Sequence, residues 1–140
     1  MRFEAGTEIA ADPRRVWAVL VDVQRWPEWT TSVRRVQRGD PGPFTVGATA
    51  RLDQPKLRPA VWRVTELTEG QAFTWVSDAP GVRTRAEHRV LPLPGGRTRV
   101  ELTIVQSGPL ARPVGWLYGG LLRRYLELEA DGLRRRCERG

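Results

Sequence analysis

Cysteine, histidine and lysine each occur once in this chain of 140 residues, as Cys137, His88 and Lys56. A single cysteine closes no internal disulfide, which fits a reducing cytoplasm. One histidine and one cysteine, far apart in sequence, make no metal-ligand set, so no metal is expected. No apolar run approaches the roughly 18 residues that a membrane-spanning helix needs. The N-terminal stretch MRFEAGTEIAADPRR is polar where a signal peptide carries its apolar core, so neither secretion nor an anchor is expected. There is no P-loop, no G-x-G-x-x-G and no G-x-S-x-G, and no cofactor is expected.

The length suits one domain over residues 1–140, large enough for a core without disulfides or metal. The net charge is +7, with a pI near 11.1. Such an excess invites anionic partners, but almost all of it is arginine, in a chain also rich in Ala, Gly and Pro. A GC-rich bacterial genome produces that bias whatever the function. The arginines are also scattered, which argues against nucleic acid as the partner.

Arg2 to Ala10 alternates, with Phe3, Ala5, Thr7 and Ile9 on one face and Glu4 and Glu8 on the other, which predicts a strand. Asp12 can cap a following helix that Pro13 begins, and Val16, Trp17, Leu20 and Val23 recur at helical spacing. Pro27 predicts its end near Trp26, with a second short helix or turn over Pro27 to Ser32. From Val33 onward turn residues separate strands: Val33–Arg38, Gly47–Asp53, Ala60–Leu67, Ala72–Ser77, Val82–Leu91 and Thr98–Gln106. In the last two, Ala86, His88 and Val90, and Val100, Leu102 and Ile104, form the covered face. After Gly108 the period changes. Val114, Leu117, Leu121, Tyr125 and Leu128 mark one stripe of a helix from about Pro113 to Cys137.

The order strand, two helices, strands, long helix predicts an α+β domain. A curved antiparallel sheet of about seven strands would wrap the C-terminal helix, and the space left between them is a natural small-molecule site.

Four features, taken in order, resemble the START-like (SRPBCC) superfamily, which includes the polyketide cyclase/dehydrase and lipid-transport group and the birch-pollen-allergen family. They are Ala11-Asp12-Pro13 with Val16-Trp17; the segment Asp22 to Trp29, similar to D-x-x-x-W-P-x-W; Trp62 to Glu66 with Phe73-Thr74-Trp75; and Gly108 with the long helix. The resemblance spans essentially the whole chain. It implies a helix-grip fold with a cavity for hydrophobic or aromatic ligands, and puts Trp26 and Trp29 at the roof of the cavity entrance. It does not imply a reaction.

The expected pocket wall is Trp62, Phe73, Trp75, His88, Leu117, Tyr118, Leu121 and Tyr125. His88 is the sole candidate catalytic group, as acid, base or hydrogen-bond donor to a ligand carbonyl; the alternative is a core histidine bonded to a backbone carbonyl. Tryptophans in a small domain are more often plain core. Gly119-Gly120 implies either close approach of another backbone or room for a ligand. Arg51, Glu87 and Glu101 fall on the outer face, so no inward acid–base pair is visible. The expected function is binding of a small hydrophobic molecule, lipid- or polyketide-like, as carrier, sensor or cyclase-like protein. A polyketide cyclase/dehydratase enzyme and a basic protein- or nucleic-acid-binding module are the alternatives. The ligand and the oligomeric state stay open.

Overall fold

The computed structural model describes residues 1–139. Strand β1 spans Arg2–Ile9, and Asp12 then accepts the Arg14 backbone N–H at 2.8 Å through Oδ1, opening helix α1, Pro13–Val21. Val16, Trp17 and Leu20 bury one stripe of it. The helix ends earlier than the apolar spacing predicts. Asp22 leaves helical geometry, and the indole N–H of Trp26 turns back to donate to the Leu20 carbonyl at 2.9 Å. That bond satisfies an end-of-helix acceptor that would otherwise be buried unpaired. The second short element is a 3₁₀ helix over Val23–Glu28 with Pro27 inside it, beginning earlier than the short helix or turn predicted over Pro27 to Ser32.

Six strands follow: β2 Arg35–Arg38, β3 Thr49–Asp53, β4 Ala60–Thr68, β5 Ala72–Ala79, β6 Val82–Leu93 and β7 Arg97–Ser107. With β1 they form one antiparallel sheet in the order β1-β7-β6-β5-β4-β3-β2. The register slips between Val64 and Glu66 of β4. Such a bulge strengthens the local twist and bends the sheet around its concave face. Helix α2, Ala111–Glu138, lies in that concavity.

Two tightly apolar regions hold the layers together. Trp26, Phe73, Trp75 and His88 pack as rings at the centre, with Trp26–Trp75 centroids 5.3 Å apart and Phe73–His88 stacked at 4.1 Å. Along α2 the buried positions Ala111, Gly115, Gly119, Leu122, Leu126, Ala130, Leu133 and Cys137 recur every three or four residues. The small ones come first, where β1 crosses close: the ring of Phe3 lies 3.2 Å from where a Cβ on Gly119 would sit. Gly120 points away, with open space around it. The Gly-Gly pair therefore marks close approach and leaves no room for a ligand.

The far end of α2 is held by α1. Arg15 donates to the carbonyls of Cys137 (2.9 Å), Arg136 (3.2 Å) and Arg139 (2.9 Å). This satisfies the last acceptors and places a cation at the negative end of the helix. No helix among the described residues is long and apolar enough to cross a membrane.

Candidate functional site

Period-two alternation does not stop where the apolar residues do. On β5 the inward series Phe73, Trp75 continues to Ser77; on β6 Val90, His88, Ala86 continues to Thr84; on β7 Leu102, Ile104 continues to Gln106. The register aligns the three polar ends, with Ser77 opposite Thr84 and Thr84 opposite Gln106. A polar row thus crosses the concave face just past the apolar centre. Trp62 of β4 extends it, one residue before Arg63, which pairs with Val76.

Above this row the helix does not touch the sheet, and a cavity of about 740 Å³ remains. Its floor is Trp62, Ser77, Thr84, Ile104 and Gln106; its side is the β3–β4 connection from Gln54 to Ala60. Its roof is Val114, Tyr118, Leu122, Tyr125 and Glu129, one stripe of α2 at spacings of three and four. A recess of about 40 Å³ continues inward from Trp62 and Glu129 toward Trp26, Trp75 and His88. The cavity is of the size that small-molecule sites occupy. A groove of about 250 Å³ on the opposite face of the sheet is lined by Glu87, Arg89, Arg99 and Glu101. Those charges pair with one another or with Arg85 and face water.

Three polar groups on the cavity wall lack partners. The indole Nε1 of Trp62 and the Oε1 of Gln106 are buried with no hydrogen bond, although Gln106 Nε2 donates to Thr84 Oγ1 at 3.4 Å. Burial alone pushes the Glu129 carboxyl up to about 8, with no hydrogen bond or neighbouring charge to offset it. Near neutral pH it is mostly an uncharged acid, a donor as well as an acceptor. Orphaned buried polar atoms are rare in folded proteins, and the two on this wall, beside a half-buried Glu129 with no hydrogen-bond partner among the described residues, form a set of unmet contacts. Lys56 and Arg58 stand exposed at the rim, and the Tyr125 hydroxyl donates to the Pro55 carbonyl, tying helix to loop.

Of the residues expected at the wall, Trp62, Tyr118 and Tyr125 line the main cavity. Phe73 does not; it is 1% exposed, between His88, Trp75 and the edge of Phe44. Trp75 and His88 reach only the small recess. Leu117 is 69% exposed, and Leu121 is half-buried outside the cavity. The reason is that α2 carries two interleaved apolar stripes. The close approach of Gly115 and Gly119 to Met1 and Phe3 turns Tyr118 and Leu122 inward in place of Leu117 and Leu121.

His88 is a core histidine by geometry. Its Nδ1 lies 3.2 Å from the Phe73 carbonyl, and burial lowers its pKa to about 4 despite that bond. A neutral imidazole with Nδ1–H donated to a carbonyl is the arrangement consistent with both. Trp26 likewise belongs to the core, and Trp29 packs over Gly132. Gln106, Thr84, Ser77 and Glu129 were overlooked in sequence because polar residues at strand ends and beside a leucine stripe read as surface. The unbroken alternation was the available signal for the first three.

The polyketide cyclase/dehydrase and lipid transport family matches residues 1–138. The chain belongs to this family. Its seven-stranded sheet around a long C-terminal helix is a helix-grip fold. Uncharacterized proteins of Mycobacterium tuberculosis and Mycobacterium bovis are 30% identical over 95% of this chain and 82% of their own length. The Zhui aromatase/cyclase of a Streptomyces species superposes with a TM-score of 0.80 at 20% identity, covering 99% of this chain and 94% of that one. A START superfamily protein from Mycobacterium smegmatis gives 0.76 at 15% identity, covering 98% and 97%. At those identities the structural likeness carries the fold alone. The family supports a ligand-binding or cyclase-like role.

Proposed function

We propose that this family member binds a small, ring-bearing, largely apolar molecule, lipid- or polyketide-like, in the cavity between α2 and the sheet, and acts as a carrier or sensor. The observation behind this reading is the cavity of about 740 Å³ whose wall joins apolar surface to a few unpartnered polar groups. That mixture is what a site needs to hold an apolar body and fix its orientation. The catalytic alternative has less support. His88, the only imidazole, is committed to the Phe73 carbonyl in the core and is uncharged at neutral pH. Occupation of the cytoplasm is part of the same reading, from the lone buried Cys137.

The test is titration with naphthalene-type probes, read by tryptophan emission, since Trp62 lines the cavity. Saturable quenching in the wild type, lost in Ile104→Trp, which fills the floor with a larger ring, is the expected result. Quenching that persists unchanged in a folded Ile104→Trp would place the probe elsewhere and count against the reading.

A further inference from the structure

Glu129 is out of keeping with the rest of the chain's electrostatics. In a protein with 23 basic residues and a net charge of +7, surface carboxylates such as Glu28, Asp78 and Asp131 sit beside arginines. Glu129 has no such neighbour, and it occupies the inner end of the cavity, where the main space and the recess share it with Trp62. An apolar residue there would fit the leucine stripe of α2 and avoid the desolvation that the carboxyl suffers. The position therefore serves something that is not part of the protein.

The surroundings narrow the chemistry. The rings of Trp62, Tyr118 and Tyr125 line the same cavity as the carboxyl, and Tyr125 is held in place by its hydroxyl bond to Pro55. The other unpartnered group on the floor that accepts is Gln106 Oε1. Aromatic rings and one carboxyl lining the same cavity, with a spare carbonyl oxygen on its floor, are a combination suited to an ammonium group.

The titratable and charged groups around Glu129 leave this intact. Tyr118 and Tyr125 share its helix; His88 and Glu87 of β6 border the recess; Lys56 and Arg58 stand on the loop at the rim. None shifts the Glu129 carboxyl. The two cations are exposed, where water and salt screen them.

We propose that the cavity's ligand carries a protonated amine on its ring system, and that Glu129 is its counter-ion within a cage of Trp62, Tyr118 and Tyr125. This rests on the ligand-binding reading above and names the ligand class for the same site. When the amine enters already protonated, Glu129 gives up its proton to solvent and the ion pair forms in its place, so binding near neutral pH releases one proton.

The experiment compares 2-naphthylmethylamine with its uncharged isostere 2-naphthylmethanol at pH 7, by calorimetry in two buffers of different ionisation enthalpy. The amine should bind about tenfold more tightly than the alcohol, with close to one proton released per amine and none for the alcohol. Glu129→Gln should erase both the preference for the amine and the proton release. Tyr118→Leu, at a position open to solvent on one side, should weaken the amine more than the alcohol. If the alcohol binds as tightly as the amine, or if Glu129→Gln keeps the preference, the amine assignment fails and the ligand-binding reading stands. If neither probe binds, both fail.

Discussion

The carboxyl of Glu129 on α2 and the indole N–H of Trp62 on β4 border the same inner end of the cavity, and neither has a partner within the protein. One is an acid held neutral by burial, the other a donor with nothing to donate to. The cavity is therefore a defined chemical surface, and the pH behaviour of the fold follows from it.

Glu129 makes stability fall as pH rises. Its pKa is about 8 in the folded protein against 4.5 as the ordinary value, so the folded state holds the proton that the unfolded state releases. Stability therefore declines between about 4.5 and 8 and is lower above that window. Glu129→Gln should flatten this limb and be more stable than wild type at pH 8.5 by about 2 kcal/mol, read by urea titration at several pH values. A wild-type curve flat from 6.5 to 8 would contradict a buried, unpartnered acid.

His88 acts at the other end. Burial lowers it from 6.5 to about 4, so the unfolded chain takes up a proton in this window that the folded protein refuses. Its contribution to stability is complete above 6.5 and is lost as pH falls toward 4. His88→Phe should remove that acid-side loss, at the expense of about 1 kcal/mol at pH 7 for the Phe73 carbonyl left unpaired. Probe binding in the main cavity should be unaffected, because His88 does not line it.

Gln106 carries an acceptor that the protein leaves unused. Gln106→Leu should stabilise the ligand-free protein by about 1 kcal/mol, because it removes a buried orphan. The same change should weaken a hydrogen-bonding ligand several-fold. Thermal unfolding with and without 2-naphthylmethylamine separates the two effects, and a loss of stability in the free protein would show that Gln106 is satisfied.

Two glycines of α2 should respond in opposite directions. A Cβ on Gly132 would collide with the Trp29 carbonyl oxygen, which is backbone and cannot move aside cheaply, whereas Gly120 has open space around it. Gly120→Ala should stabilise by about 1 kcal/mol through helix propensity. Gly132→Ala should destabilise by about 2 kcal/mol or more. Denaturant midpoints of the two variants provide the check.

Arg15 closes the end of α2 through three carbonyls. Arg15→Ala should fray that end, with faster amide exchange over the last turn and about 1 kcal/mol of lost stability, modest because the group is exposed. Arg15→Lys should recover only part, since an ammonium lacks the planar fork.

How much of this was legible in sequence varies with the range of the physics involved. The alternation of Val82 to Leu93 and Arg97 to Ser107 is local, so it reads directly as strands, and the Asp12-Pro13 start of α1 does too. The early end of α1 was not legible, because it depends on Trp26 reaching back to the Leu20 carbonyl. The site divides in the same way. Trp62, Tyr118 and Tyr125 followed from periodicity and resemblance; Glu129 did not, because a glutamate beside a leucine stripe has the same local pattern whether it faces water or a cavity.

What the sequence by itself determined is the set of elements, their order, and therefore a bent sheet around a long helix, since period and turn chemistry act over a few residues. What only the tertiary structure decided is the rotation of that helix. Two apolar stripes compete on α2, and the choice between them depends on the side chains of Met1 and Phe3 reaching Gly115 and Gly119 from more than a hundred residues away. That contact turns Leu117 to solvent and Glu129 into the cavity. No local pattern carries that information, because it depends on where small residues leave room for the side chains of a distant segment.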